Sequence, residues 1–331
     1  MIRKAVLKTL IKVVICSIIL ISFPYACRQA NSHAIEYPVE KTQDFGGFSG
    51  PNVPSFKTMQ GDYFALGVRT KADRTDIPKL LSALKSMGAT DFFHLVWSEN
   101  DHPKAWEDFR LLAQEFQSAG IRLWLYLTPP SEPPAPSPFG FDYMRWAVEC
   151  AKLAKRYSCI KGLIIDDFDG NENTFTPQYC RDMMRAAHDI EPHLALLLVN
   201  YFGYYEKTMA EHVRAGVIDG VIFPYFYPQK NHLDSSLLLP QTREFRRWLD
   251  QQTQLGGFSK KMPLVIMVYA SRHSQSSDSP TPFSIQKCLE IGVAASKDGL
   301  ANGVVTYDLP KDKPEYINAV ASVYKKRSTP N

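Results

Sequence analysis

Cysteine is scarce in this chain, six residues in 331. Cys150, Cys159, Cys180 and Cys288 lack the paired spacing of a metal site, so no structural metal is expected. No Gly-x-Ser-x-Gly elbow, phosphate loop or dinucleotide fingerprint occurs, which removes the serine-hydrolase and nucleotide-binding classes that those motifs mark. The longest apolar run, Val13 to Phe23, is shorter than the ~20 residues a membrane-spanning helix needs. Excess basic charge is lacking too, once the amino terminus is set aside.

That terminus reads as a secretion signal. Arg3, Lys4, Lys8 and Lys12 precede the apolar run, which Pro24 ends. Cleavage fits after residue 34, behind Ser32-His33-Ala34, or after residue 26, where Ala26-Cys27 resembles a lipoprotein site and would give a lipid tether through Cys27. Removing residues 1–34 takes away five basic residues and no acid, which brings the formal charge from +4 to −1. No nucleic-acid footprint is left. The expected product is a monomer that is exported: periplasmic, extracellular or tethered to a membrane by lipid. In an oxidising compartment Cys150 and Cys159 are the nearest pair for a disulfide, and buried free thiols are the alternative.

What is present is a regular alternation. Short apolar runs recur at 63–69, 91–97, 121–128, 160–167, 193–201, 217–225, 263–270 and 302–308, separated by segments of helical period. Runs such as Leu264-Val265-Ile266-Met267 suit parallel strands buried on both faces. Trp106, Phe109, Leu112, Ala113 and Phe116 recur at helical spacing. Gly88 and Gly120 stand where left-handed helix caps are needed. Eight such units predict an α/β fold closed into a (β/α)8 TIM barrel over residues 63–331, with residues 35–62 wrapping it as a loop.

Barrels place chemistry at the carboxyl ends of their strands. Strand four ends Ile165-Asp166-Asp167-Phe168-Asp169, three carboxylates straight after a buried run. Crowded negative charge raises the pKa of one member and leaves an acid beside an ionised partner, the pairing that glycoside hydrolysis uses. Exposed aspartates that merely solvate a loop are the plainer alternative. The first of the two loops that stand out, Pro129 to Pro138, predicts a stiff wall; the second, Ser271 to Pro282, is rich in serine.

The Asp166-Asp167 ending resembles the paired aspartates of the O-GlcNAcase-type N-acetylglucosaminidases and, more distantly, the strand-four motif of the chitinase-like hydrolases. The resemblance implies that Asp166 orients a substrate acetamido group and that Asp167 is the general acid/base. It also implies an N-acetylhexosamine-containing glycan and no cofactor. Phe168 stands where the chitinase-like motif has glutamate. Strand seven ends Tyr269-Ala270-Ser271 without a carboxylate, unlike retaining barrels with a strand-seven glutamate.

Aromatic faces pack on pyranose rings, and Trp97, Tyr126, Tyr201, Tyr225, Tyr227, Tyr269 and Tyr307 all stand at strand ends. Tyr225 resembles the strand-six tyrosine of the chitinase-like enzymes. Arg69, Glu99, Asp169, Asn200 and Asp308 are further candidates for binding an oligosaccharide or polysaccharide, with His94, Asp101, Arg272 and His273 behind them. His94, inside strand two, is expected to be a satisfied histidine of the barrel interior. A calcium loop beginning at Asp167 fails at Glu172 and Gln178, where glycine and glutamate are required. Two rivals to a hydrolase remain: a carbohydrate-binding barrel without catalysis, and a metal-dependent transferase using Asp167-x-Asp169.

Overall fold

The computed structural model describes residues 59–225, 234–273 and 278–328. The leader, Cys27, most of the wrapping segment and Tyr227 lie outside these residues. Eight parallel strands close into a barrel in sequence order: β1 (Met59–Tyr63), β2 (Asp91–Val96), β3 (Arg122–Leu127), β4 (Ile160–Ile165), β5 (Ala195–Val199), β6 (Gly220–Tyr225), β7 (Leu264–Tyr269) and β8 (Gly303–Tyr307). The helices are α1 (Ile77–Met87), α2 (Ala105–Ala119), α3 (Tyr143–Ala154), α4 (Pro177–His188), α5 (Tyr205–Thr208), α6 (Ala210–Arg214), α7 (Leu238–Leu255), α8 (Pro282–Lys297) and α9 (Pro314–Ser328). No helix among the described residues is long and apolar enough to cross a membrane.

Helix boundaries follow from local chemistry. Asp76, Asp142 and Thr176 accept backbone N–H groups at the starts of α1, α3 and α4. Thr281 and Ser284 form a reciprocal capping box at α8. Gly88 and Gly120 take left-handed caps, φ 76° and 69°, as their positions predict.

Alternate strand residues feed two cores. Phe93, Leu95, Trp124, Ile164, Leu197, Ile222, Val265 and Val305 fill the barrel interior. Phe92, Leu125, Leu163, Leu196, Phe223 and Ile266 pack outward against the helices. The closing strand pair carries a buried ion pair, Lys311 with Asp62, and Thr306 Oγ1 donates to Asp62 Oδ1 at 2.5 Å. Cys150, Cys159, Cys180 and Cys288 are buried free thiols, so the Cys150–Cys159 bridge is absent.

The first strand differs from its expected position. The segment 63–69 turns instead of extending, with φ 57° at Phe64 and 76° at Gly67. The strand is Met59-Gln60-Gly61-Asp62-Tyr63, pairing with β2 and β8. Its polar residues are buried because tertiary partners satisfy them. His94 is buried and bonded through Nε2 to Ala105 O at 2.9 Å, but it faces α2 and not the barrel interior.

Candidate active site

Strand parity decides which side chains reach the mouth. On β4, Leu163 and Ile165 pack outward and Ile164 inward, so Asp166 points into the barrel. Continued extension would turn Asp167 outward. Its φ is instead 32°, a left-handed backbone costing a non-glycine residue about 1–2 kcal/mol. Both carboxylates consequently line one cavity. Asp308 repeats the device after β8 with φ 60° and lines the same cavity. Backbone strain of this kind concentrates at functional sites.

The cavity measures about 230 Å³ and opens at the carboxyl ends of the strands. Tyrosines from separate strands form its base. Tyr63 stacks on Tyr307 with ring centres 4.6 Å apart, and Tyr126 and Tyr269 each lie 4.6 Å from one of these rings. The Tyr201 and Tyr269 hydroxyls meet at 3.3 Å. Burial pushes all five phenols upward, so they stay protonated as donors.

Asp166 Oδ1 accepts the Tyr126 hydroxyl at 2.6 Å and the Asp167 N–H at 2.9 Å. Burial, followed by the charges of Asp167 and Glu132, holds its carboxyl well above the ordinary range despite those bonds. Glu132, which carries no motif in the sequence, reaches the site from the proline-rich loop after β3. Burial first, then the charge of Asp167 and a hydrogen bond with it, raise Glu132 to about 7. Below about pH 7, where Glu132 keeps its proton, its O–H donates to Asp167.

Asn171 holds the two loops together. Its Nδ2 donates to Ser131 Oγ at 2.8 Å and to Asp167 O at 2.7 Å, and its Oδ1 accepts the Ser131 N–H at 3.1 Å. Trp97 Nε1 donates to Glu132 O and Pro134 O at 3.3 and 3.1 Å, fixing the same loop from β2.

Among the expected residues, Asp166, Asp167, Trp97, Tyr201 and Asp308 line the cavity, as do Tyr307, Arg272 and His273. Tyr126 and Tyr269 support it from below. The other candidates are placed elsewhere. Tyr225 belongs to the outer core, since parity on β6 turns it to the helices, and its hydroxyl donates to Asp234 O. Asn200 likewise faces outward and donates to Thr208 Oγ1 at 2.9 Å. Arg69 is paired with Asp73 at 2.5 Å, beyond the shifted first strand. Glu99 is exposed and accepts the Lys104 N–H at 3.2 Å; Asp101 accepts the Ser98 hydroxyl. Asp169 is absent from the cavity lining. No group of three or more His, Cys, Asp or Glu side chains among the described residues is arranged so that it could hold a metal ion.

No family model matches the sequence, and no curated protein matches it. Solved structures do match in fold. Active domain 2 of a chitinase from Pyrococcus furiosus has a TM-score of 0.58 at 13% identity, covering 84% of this chain and 97% of that one. An α-L-arabinofuranosidase from Thermotoga maritima has a TM-score of 0.54 at 10% identity, covering 82% and 71%. The chain is a (β/α)8 barrel whose fold neighbours include glycoside hydrolases. At such identities the likeness concerns the fold alone.

Proposed function

We propose that the protein is an exported glycoside hydrolase that cleaves a hexosamine-containing glycan at this cavity. The observation that carries the reading is that Glu132, Asp166 and Asp167 line one cavity at the strand ends, with Asp166 buried and Glu132 hydrogen-bonded to Asp167. Asp167 passes the shared proton to the glycosidic oxygen as the bond from the anomeric carbon to that oxygen breaks. A nucleophile, water or a substrate acetamide, bonds the anomeric carbon from the other side. Asp166, held by Tyr126, orients that nucleophile. Where water attacks, its proton goes to a carboxylate; where the acetamide attacks, its N–H proton goes to a carboxylate and returns as water opens the ring so formed, and in both cases the net change is addition of water across the bond. The aromatic lining gives sugar rings a face to pack on, and the phenols give their hydroxyls partners.

The test is turnover on a panel of glycans with Asp167→Asn and Asp166→Asn. Each should lose about 10²- to 10⁴-fold, the usual worth of acid–base catalysis. The Asp167→Asn loss should shrink on substrates whose leaving group needs no proton. Full activity in either variant refutes the assignment. Binding without cleavage by the wild type would make the barrel a carbohydrate-binding protein instead.

A further inference from the structure

Four carboxyl groups, Glu132, Asp166, Asp167 and Asp308, line the cavity, while its lining among the described residues has one guanidinium, Arg272, whose side chain is exposed at the lip beside His273. The acids act on one space: the charges of Asp166, Asp308 and Glu132 all bear on the same Tyr63 and Tyr307 hydroxyls.

Acidity alone would not define a ligand, but two further atoms do. Thr128 is 1% exposed and faces the cavity, yet its Oγ1 has no hydrogen-bond partner among the described residues. Asp308 accepts Ser271 Oγ on Oδ2 at 3.0 Å, whereas its Oδ1 is buried and has no hydrogen-bond partner among the described residues; the Lys311 ammonium, whose charge also acts on Asp308, is paired with Asp62. A buried polar atom left unpaired costs about 1–3 kcal/mol, so each of the two can take a hydrogen bond from a ligand group. Once ionised, the Asp308 atom accepts only, and a cation held beside it favours the ionised form of the surrounding carboxyls.

We propose that the cavity receives a hexosamine bearing a free ammonium group, with Asp308 Oδ1 as its principal acceptor and Thr128 Oγ1 as a second. This deepens the proposed function, on which it rests, and decides between an acetylated and a de-N-acetylated glycan. An ammonium brings three N–H donors and a charge that neutralises the site. An acetamide brings one N–H and no charge, so its carbonyl oxygen can use the phenol donors but nothing in it draws protons off the carboxyls. With no acetamide present, water is the nucleophile that Asp166 orients. Ligand binding should also expel protons, because the cation lowers the raised pKa values of Asp308, about 6, and Glu132, about 7.

The experiment is calorimetric titration of the protein with fully de-N-acetylated and fully N-acetylated glucosamine oligosaccharides of equal length, near pH 6, where the free amine is charged. The expected result is at least roughly tenfold tighter binding of the free-amine oligomer, a preference that weakens with salt and shrinks in Asp308→Asn. Repeating the wild-type titration in two buffers of different ionisation heat should reveal proton release, a readout independent of how the variant folds. Equal or tighter binding of the acetylated oligomer overturns the proposal and leaves the hydrolase reading intact. So does binding of a neutral glycan when neither glucosamine oligomer binds. Failure to bind or cleave any glycan overturns both.

Discussion

Asn171 and Ser131 exchange two hydrogen bonds across separate barrel loops, Nδ2 to Oγ at 2.8 Å and N–H to Oδ1 at 3.1 Å. Since Glu132 follows Ser131 and Asn171 also donates to Asp167 O, this clamp sets the spacing of the acid pair. Asn171→Ala should cost about 1–3 kcal/mol by stranding buried polar groups. If Asn171 positions Glu132, the variant should also move the alkaline limb of the pH–rate profile to lower pH, because Glu132 loses its neighbour. A loss of stability with an unshifted limb would make Asn171 structural only.

Glu132 is held protonated up to about pH 7 by burial and by Asp167. Turnover should therefore fall above that pH, about tenfold per unit, as the acid is lost. Glu132→Gln keeps the shape and removes the proton. It should abolish that limb and lower the plateau by about 10²-fold or more. A variant with the wild-type limb would place the acid elsewhere.

The barrel was legible because seven of its eight buried strands coincide with apolar runs, and the Asp166-Asp167 ending was legible because charge rarely follows such a run. Strand one was not. Gln60 and Asp62 read as loop residues, and only the folded chain supplies Lys311 and Thr306 to satisfy Asp62. Glu132 carries no local signal, since its role arises from a loop-to-loop clamp. Tyr225 misled because a tyrosine at a strand end faces the mouth or the helices according to a register of one residue.

That difference of parity separates two aromatics. Trp97→Ala should weaken glycan binding by about 1–3 kcal/mol, the scale of one lost aromatic contact. Tyr225→Phe, changed outside the cavity, should leave affinity unaltered, because only the bond to Asp234 O is lost. Calorimetry on the two variants checks the assignment; a comparable loss in both would reject it.

Export makes a separate prediction. Protein recovered from its native envelope should lack at least residues 1–26, and a lipid-modified Cys27 should appear if the second cleavage site is used. Intact-mass measurement decides this, and retention of Met1 to Ala26 would refute cleavage.

Asp219, just before β6 and 2% exposed, is a buried carboxyl at the opposite end of the barrel from the mouth. Its Oδ2 accepts the Leu196 N–H at 2.8 Å, and Oδ1 has no hydrogen-bond partner among the described residues. Burial raises it to about 7. A carboxyl raised on folding binds its proton more tightly in the native state, so its contribution is complete below the unfolded value near 4 and is lost as pH rises through about 7. Glu132 and Asp308 act in the same direction. His94 and His102, lowered to about 4 by burial, act oppositely but only below the ordinary histidine range. The histidines cancel when wild type is compared with Asp219→Asn at one pH. The stability difference, wild type minus variant, should therefore fall by about 2–3 kcal/mol between roughly pH 5 and pH 8. Urea unfolding at the two pH values measures it. A difference independent of pH would mean that Asp219 is already ionised in the folded barrel.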